Sequence, residues 1–312
     1  MPNTIPLISI CIPAYKRLNY LKRLFASIEN QAYKDFEVVI TDDSGEDDEV
    51  EKFIADSNFN FTLRYIKNEQ PLGSPRNWLE CFKHAKGEWI KIMHDDDYFT
   101  HSGSLNLFVE NIQHGIDCIF SGYKLVDDNE IIKDMTIKMS KFQKIIRIPM
   151  NLFASNIIGP PSVMLFKRGI EDQFDDRLKW IVDWEFYIRL ASKYKLSYIP
   201  EPLISVGHND TQITNSCFLN PEIEIPETLI FTNKYGNSLF KYALAYDAWW
   251  RLIRNLKFRN YSQILNYSKG LSINLNIKKM IHFQSFIPYH LLKIGFISKI
   301  LMIISYSFNR IK

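Results

Sequence analysis

Cysteine is scarce in this chain. Cys11, Cys81, Cys118 and Cys217 are scattered over 312 positions with no C-x-x-C pair. That spacing excludes a zinc ribbon or a disulfide framework and suits reduced thiols. No G-x-G-x-x-G follows the first apolar run, which ends at Pro13, so the dinucleotide fingerprint of a dehydrogenase is missing. No uncharged apolar stretch reaches the roughly eighteen residues needed to cross a bilayer, because Lys293 and Lys299 interrupt the apolar stretch from Phe286 onward. Met1-Pro2-Asn3-Thr4 carries no basic segment, and Leu7 to Pro13 is too short for the core of a secretion signal. The chain is therefore expected in the cytoplasm. Internal repeats and low-complexity segments are also missing, and the length suits one large domain or one domain with an annex.

Acidic residues are missing from one region. Asp247 is the last of them, and residues 248–312 hold eleven Lys and Arg with no Asp or Glu. The net charge of +3 thus divides into about −8 before that point and about +11 after it. The two parts are expected to meet different partners.

Where apolar runs do occur, they alternate with helical spacing. Leu7 to Pro13, Phe36 to Ile40, Leu63 to Ile66 and Trp89 to Met93 read as strands, mostly continuous apolar runs as in buried parallel strands. Between them, Leu18 to Ile28 and about Asp47 to Asp56 read as helices. A third helix is expected from Ser74 as N-cap, with Pro75 in its first turn, to about Ala85. This β-α-β-α-β-α-β order predicts an α/β fold with a mostly parallel sheet covered by helices on both faces. Ligands of such sheets collect beyond the carboxyl ends of the strands. Further on, residues 104–114 read as a helix and Asp117 to Val126 as a strand. Residues 127–145 read as a polar, mobile loop. Val163 to Phe166 reads as a strand, Asp183 to Leu190 as a helix, and Leu196 to Ile199 and Leu203 to Val206 as two short strands.

The fourth strand ends in His94-Asp95-Asp96-Asp97. Three adjacent carboxylates raise each other's pKa unless a cation neutralises them. Mg²⁺ or Mn²⁺ takes carboxylate oxygens and shares its open positions with phosphate. A solvated acidic turn with a helix cap is the plainer reading of such a triplet standing alone.

Five stretches in order change that balance: Ser9 to Tyr15, Val39 to Ser44, Pro75-Arg76-Asn77, Met93 to Asp97, and Asp183-Trp184-Glu185 with Arg189. Together, over about residues 5–215, they resemble family 2 glycosyltransferases of the GT-A fold, as found in bacterial surface-polysaccharide (O-antigen or capsule) assembly. The resemblance implies transfer of a sugar from a nucleotide-diphosphate sugar to an acceptor hydroxyl with inversion. Pro13, Ala14, Tyr15, Asp42 and Asp43 would hold the nucleoside, and Arg76 would reach the base or the diphosphate. Asp95, Asp96 and Asp97 correspond to the aspartate-x-aspartate motif, with Asp95 and Asp96 on the nucleotide side and Asp96 and Asp97 favoured for the metal. Many relatives carry a further Asp where this chain has His94. Asp183 would be the general base; an acidic pair precedes this helix in relatives, and here its first member is Val182. Trp184 and Glu185 would face the acceptor, and His208 would sit in a loop over the diphosphate. A nucleotidyltransferase is the competing enzyme reading, but Ala14-Tyr15-Lys16-Arg17 lacks the Gly-rich basic loop of that chemistry. A non-catalytic sugar-nucleotide binder on the same fold is the other alternative.

Residues 216–312 fall outside the resemblance and form a basic annex. Trp249, Trp250, Leu252, Ile253, Leu256 and Phe258 predict an aromatic helix, and Phe286 to Lys312 predicts an amphipathic helix lying in a membrane interface. Anionic lipid would attract the uncompensated cations at about 1 kcal/mol for each one near the surface. Nucleic acid is disfavoured, since the apolar run has no use there. The expected acceptor is a lipid-linked saccharide, met peripherally at the inner face of the cell membrane.

Overall fold

A computed structural model describes residues 5–127, 130–170, 174–208 and 217–310. The chain divides into two compact units. Unit 1 comprises residues 1–147, 157–176 and 189–210. Unit 2 comprises residues 148–156, 177–188 and 211–312.

Unit 1 is built on one sheet. Its first strands are β1 (Ile8–Ala14), β2 (Phe36–Asp42), β3 (Thr62–Lys67) and β4 (Trp89–Ile92), which pair in parallel in the order β3-β2-β1-β4. β1, β2 and β4 are buried along almost their whole length, which is why they read as continuous apolar runs. The helices α1 (Leu18–Glu29), α2 (Glu49–Asp56) and α3 (Arg76–His84) supply the crossovers. Leu21, Leu24, Phe25 and Ile28 form the buried face of α1 at the spacing that predicted it.

Beyond β4 the sheet continues through β8 (Met164–Lys167), β6 (Cys118–Asp127), β9 (Leu196–Gly207) and β5 (Tyr98–Phe99), while β7 (Glu130–Met135) pairs with β6. β8 runs antiparallel to both its neighbours, β4 and β6. Helix α4 (Ser104–Glu110) follows β5.

Five local readings need correction. Residues 127–145 are not a loop over their described part, since they form β7 and the helix α5 (Met139–Arg147). The two short strands expected near residue 200 are one strand, β9. Its register slips where Ser121 and Gly122 face Ile199 and Pro202, so the prolines mark an irregularity and not an end. The N-cap of α3 is Pro75 and not Ser74. Phe258 lies beyond its expected helix, which ends at Asn255. The stretch from Phe286 onward is not one helix: Phe286 caps the preceding helix, and two helices follow, Tyr289–Lys293 and Gly295–Arg310.

Unit 2 contains the start of α6 (Val182–Lys193) and the helices α7 (Pro221–Tyr235), α8 (Ala243–Asn255), α9 (Tyr261–Tyr267), α10 (Leu275–Ser285), α11 (Tyr289–Lys293) and α12 (Gly295–Arg310). Its core gathers Trp249 and Trp250 of α8 with Phe231 of α7 and Met280 of α10, all buried. Each indole keeps a polar partner: Trp249 Nε1 donates to Thr232 Oγ1 at 2.9 Å and Trp250 Nε1 to Ser298 Oγ at 3.0 Å.

Candidate active site

The turns after the parallel strands β1, β2 and β4 of unit 1 carry polar residues. Ala14 of β1 pairs in register with Asp42 of β2, and Met93 N donates to Cys11 O as β4 runs out. The turns that follow therefore converge beyond the carboxyl ends of β1, β2 and β4, as the topology dictates.

The acidic turn is buried, not solvated: Asp95, Asp96 and Asp97 are all nearly inaccessible. Arg17 is the cation that meets them. Its Nη2 lies 2.5 Å from Asp95 Oδ1 and its Nη1 3.0 Å from Asp96 Oδ2. Arg17 and Lys16 both hold left-handed backbone, with φ of 48° and 56°, which is costly for non-glycine residues. Lys16 N is tied to Ser44 Oγ at 2.8 Å and Tyr15 N to Asp95 Oδ2 at 3.3 Å, and these bonds help hold the turn. Asp97 Oδ1 accepts from Gly207 N at 3.2 Å. At Gly207 a Cβ would lie 2.7 Å from Asp96 O, so only glycine allows β9 to approach so closely.

One guanidinium does not balance this cluster. Burial pushes the Asp95 carboxyl up to about 7, with Arg17 opposing the shift, and raises Asp97 well above the ordinary carboxylate range. His94 is the unexpected member. Its backbone N donates to Ser162 Oγ at 3.0 Å, its ring lies 5.0 Å from that of Trp78, and burial lowers it to about 4, leaving a neutral imidazole. One ligand atom from each of His94, Asp96 and Asp97 falls within 4.8 Å of the others. His94 Nε2 is buried with no hydrogen-bond partner among the described residues. The ring nitrogen nearest a carboxylate is Nδ1, 4.0 Å from Asp97 Oδ2. A neutral imidazole beside two carboxylates is a donor set that fits a divalent cation.

Lys91 braces the same turn from below. It is fully buried in β4, and its Nζ donates to the carbonyl of Ser162 and, at 3.4 Å, to those of Ile92 and Met164. Burial lowers its pKa to about 7. A lysine inside a short apolar strand was the visible sign of this brace, since a buried ammonium needs partners.

The other expected residues of unit 1 take distinct places. Asp42 accepts from Tyr65 Oη at 2.7 Å and from Ser44 N at 2.9 Å. Asp43 accepts from Asn68 Nδ2, Leu72 N and Gly73 N at 2.7–2.8 Å, so it shapes the loop before α3. Tyr15 is half exposed at the mouth of the site, following Pro13 and Ala14. Arg76 is exposed and its Nε pairs with Asp176 Oδ2 at 3.0 Å, away from the acidic turn's own bonds. His208 is exposed; its N donates to Val126 O, and it directly follows the glycine bonded to Asp97.

Asp183, Trp184 and Glu185 open α6 within unit 2. Asp183 Oδ2 accepts from Asn156 Nδ2 at 2.7 Å and Oδ1 from Trp184 N at 2.9 Å. Burial still raises Asp183 to about 7, so it can exchange a proton near neutrality. Glu185 is buried and pairs with Lys234 Nζ at 2.5 Å. Glu227 of α7, unremarked in the sequence, accepts from the backbone N of Lys179, Trp180 and Ile181 and so fixes the turn that leads into α6.

The model of the family described as glycosyl transferase family 2 matches residues 9–173, just over half of the chain. The chain belongs to glycosyl transferase family 2. This glycosyltransferase is 29% identical over 206 residues to an uncharacterized glycosyltransferase of Methanocaldococcus jannaschii, covering 64% of this chain and 70% of that one. It is 26% identical over 141 residues to a GalNAc(5)-diNAcBac-PP-undecaprenol beta-1,3-glucosyltransferase of Campylobacter jejuni, covering 43% of each. It is 38% identical over 94 residues to an abequosyltransferase of Salmonella typhimurium, covering 29% of this chain and 28% of that one. Among solved structures, S. aureus TarS residues 1–349 with UDP-GlcNAc aligns at TM-score 0.57 and 15% identity, covering 97% and 91% of the two chains. The mannosyltransferase PcManGT of Pyrobaculum calidifontis, with GDP-Man and Mn²⁺, aligns at TM-score 0.57 and 14% identity, covering 99% and 88%. The GT-A fold expected from the motifs is the one these neighbours share.

Proposed function

We propose that this glycosyltransferase moves one sugar, with inversion, from a nucleoside diphosphate to a hydroxyl of a lipid-linked saccharide in surface-polysaccharide assembly. Mn²⁺ or Mg²⁺ is its cofactor, held by Asp96 and Asp97 with His94 as third ligand. The observation that carries the reading is the convergence of those three side chains beyond β4, with one ligand atom from each within 4.8 Å of the others. A bound cation there would supply stabilisation of the negative charge that gathers on the departing diphosphate. The Mn²⁺ bound by the mannosyltransferase neighbour supports that assignment.

The remaining roles belong to the chain itself. Tyr15, with Pro13 and Ala14, borders the nucleoside side of the site, and Asp42 and Asp43 keep the loops there in place through the bonds described above. Asp95 faces the nucleotide once Arg17 is displaced or shared. Asp183 takes the proton of the acceptor hydroxyl as the new carbon–oxygen bond forms, and the electron pair of the broken bond leaves on the diphosphate. A single displacement of this kind inverts the anomeric centre.

The membrane part of the reading rests on α12. Phe296, Ile300, Ile303, Ile304 and Phe308 recur at helical spacing and are exposed, Phe296 by 77% and Phe308 by 67%. The opposite side buries Ser298 and Ser305, which bond Trp250 and Arg254, and Tyr246, respectively. Met302 is buried on that side with the two serines, so the helix is apolar on its outward face as well as at its inward contact, unlike a water-facing helix. No helix among the described residues is long and apolar enough to cross a membrane. An interfacial seat on anionic lipid suits this face and the acid-free basic composition around it. The undecaprenol-linked substrate in the name of the Campylobacter relative supports a membrane-borne acceptor.

A thermal-shift screen of nucleoside diphosphates with and without Mn²⁺ tests the core of this function. One nucleotide should stabilise the protein, and only with the metal present. Equal stabilisation without metal, or none from any nucleotide, contradicts it.

A further inference from the structure

Lys91 breaks the pattern of its strand. Ile90 and Ile92 flank it in β4, all three are fully buried, and strand pairing alone asks for another apolar side chain there. A buried ammonium is costly unless it has partners. Its Nζ donates to the carbonyl of Ser162 and, at 3.4 Å, to those of Ile92 and Met164. It also lies 5.0 Å from the ring centre of Phe108 and 5.8 Å from that of Phe99. A position that breaks a local rule and is compensated in this way is where a site is expected.

Ser162 links this charge to the acidic turn. In the antiparallel pairing of β4 with β8, Lys91 faces Leu165, and the same register carried past both strand ends sets His94 opposite Ser162. Ser162 is itself fully buried. Its Oγ accepts from His94 N at 3.0 Å and donates to the carboxylate of Asp97. One hydroxyl thus touches two of the three residues whose ligand atoms converge. The backbone that presents it is stiff. Pro160 and Pro161 precede it, a single 3₁₀ turn spans Pro161–Val163, and Val163 N donates to Pro160 O at 3.1 Å. Gly159, at φ 120°, lets the turn lie against Tyr123, whose ring a Cβ would meet at 2.6 Å.

We propose that Lys91 and Ser162 form one positioning unit for the cation site: the ammonium holds the Ser162 carbonyl, and the Ser162 hydroxyl holds His94 and Asp97 at the spacing a divalent ion needs. The inference rests on the metal reading above and adds to it the residues that aim the ligands. Removing a partner that orients a metal ligand weakens the metal about 10–100-fold. For Lys91, charge alone predicts the opposite sign. Taking a cation away from beside the carboxylates would tighten Mn²⁺, so weaker binding in Lys91→Met is the mark of lost position.

Calorimetric titration of Mn²⁺ into the full chain, with UDP or GDP present, tests the unit. Ser162→Ala should weaken Mn²⁺ about tenfold and Lys91→Met severalfold. The double variant should bind within about twofold of Ser162→Ala, because the ammonium acts through the serine. In the metal-free protein, hydrogen exchange at the His94 amide should be faster in both single variants. A melting temperature close to that of the wild type certifies the fold. Should Lys91→Met melt early, Ser162→Ala alone decides, by its Mn²⁺ affinity and its exchange. Unchanged or tighter Mn²⁺ in either folded variant, or effects that multiply in the double variant, overturns the unit. If His94→Ala and Asp97→Asn weaken Mn²⁺ while Ser162→Ala does not, the metal reading stands and this one falls. A wild type that takes up no Mn²⁺ with either nucleotide removes both.

Discussion

Arg17 Nη2 lies 2.5 Å from Asp95 Oδ1, and the same guanidinium reaches Asp96 Oδ2 at 3.0 Å. One side chain, held on a left-handed backbone, thus bridges two of the three carboxylates proposed to serve donor and metal. It stands in for part of the positive charge that the cluster lacks. Arg17→Ala should destabilise the metal-free protein by about 1–3 kcal/mol, less than a fully buried pair because the guanidinium is partly exposed. Mn²⁺ should then raise the melting temperature more in the variant than in the wild type. Equal shifts in the two would show that Arg17 and the metal do not share the carboxylates.

His94 is the departure from the aspartates of the motif, and its Nδ1 lies 4.0 Å from Asp97 Oδ2. His94→Ala should weaken Mn²⁺ at least tenfold. His94→Asp makes the donor set all oxygen and should move preference toward Mg²⁺. Calorimetric titration of each metal into each protein decides. Unchanged Mn²⁺ affinity in His94→Ala would remove the imidazole from the ligand set.

Asp183 should impose a pH dependence on transfer. A base works only when deprotonated, and burial raises this carboxyl to about 7. The rate should therefore fall as pH drops below about 7 and level off above it. Asn156 donates to the carboxylate and favours its charged form. Asn156→Ala should accordingly shift the acid limb to higher pH. Asp183→Asn should lower turnover about 10²–10⁴-fold while leaving nucleotide binding intact. A pH profile identical in wild type and Asn156→Ala would assign the titration to another group.

The outer face of α12 should drive lipid binding. Phe296→Glu with Ile303→Glu should abolish sedimentation with vesicles containing anionic phosphatidylglycerol at low salt, and leave the melting temperature unchanged because both side chains are exposed. Vesicles of phosphatidylcholine alone should bind the wild type weakly. Sedimentation of the double variant equal to wild type would place the contact elsewhere, and a concentration-dependent dimer that the variant loses would make the face a protein interface.

The parallel half of the sheet was legible because burial on both faces leaves a continuous apolar run, as in Ile8 to Ile12 and Phe36 to Ile40. The acidic turn was legible because three carboxylates have no use at the end of such a run. β7 was not legible: Glu130 to Met135 pairs on one side only and is mostly exposed, so Ile131 and Ile132 show no burial period. Helix α5 buries little more than Phe142 and Ile145, too short a stripe to stand out in a polar segment. The part played by Arg17 lay beyond sequence reading for another reason. Its partner Asp95 is 78 positions away, and only the parallel register of β1 and β4 brings the two turns together. Ser162, which bonds the backbone N of His94, precedes β8 and is brought to the site by the antiparallel pairing of β8 with β4.

Electron paramagnetic resonance of Mn²⁺ tests the central claim most directly, by titrating the ion into the wild type, Asp96→Asn and Asp97→Asn in the presence of the stabilising nucleoside diphosphate. The account predicts one tight, nucleotide-dependent ion with nitrogen hyperfine coupling from His94, and at least tenfold weaker binding in each variant. Tight binding that survives both substitutions, with no nitrogen coupling, would contradict it.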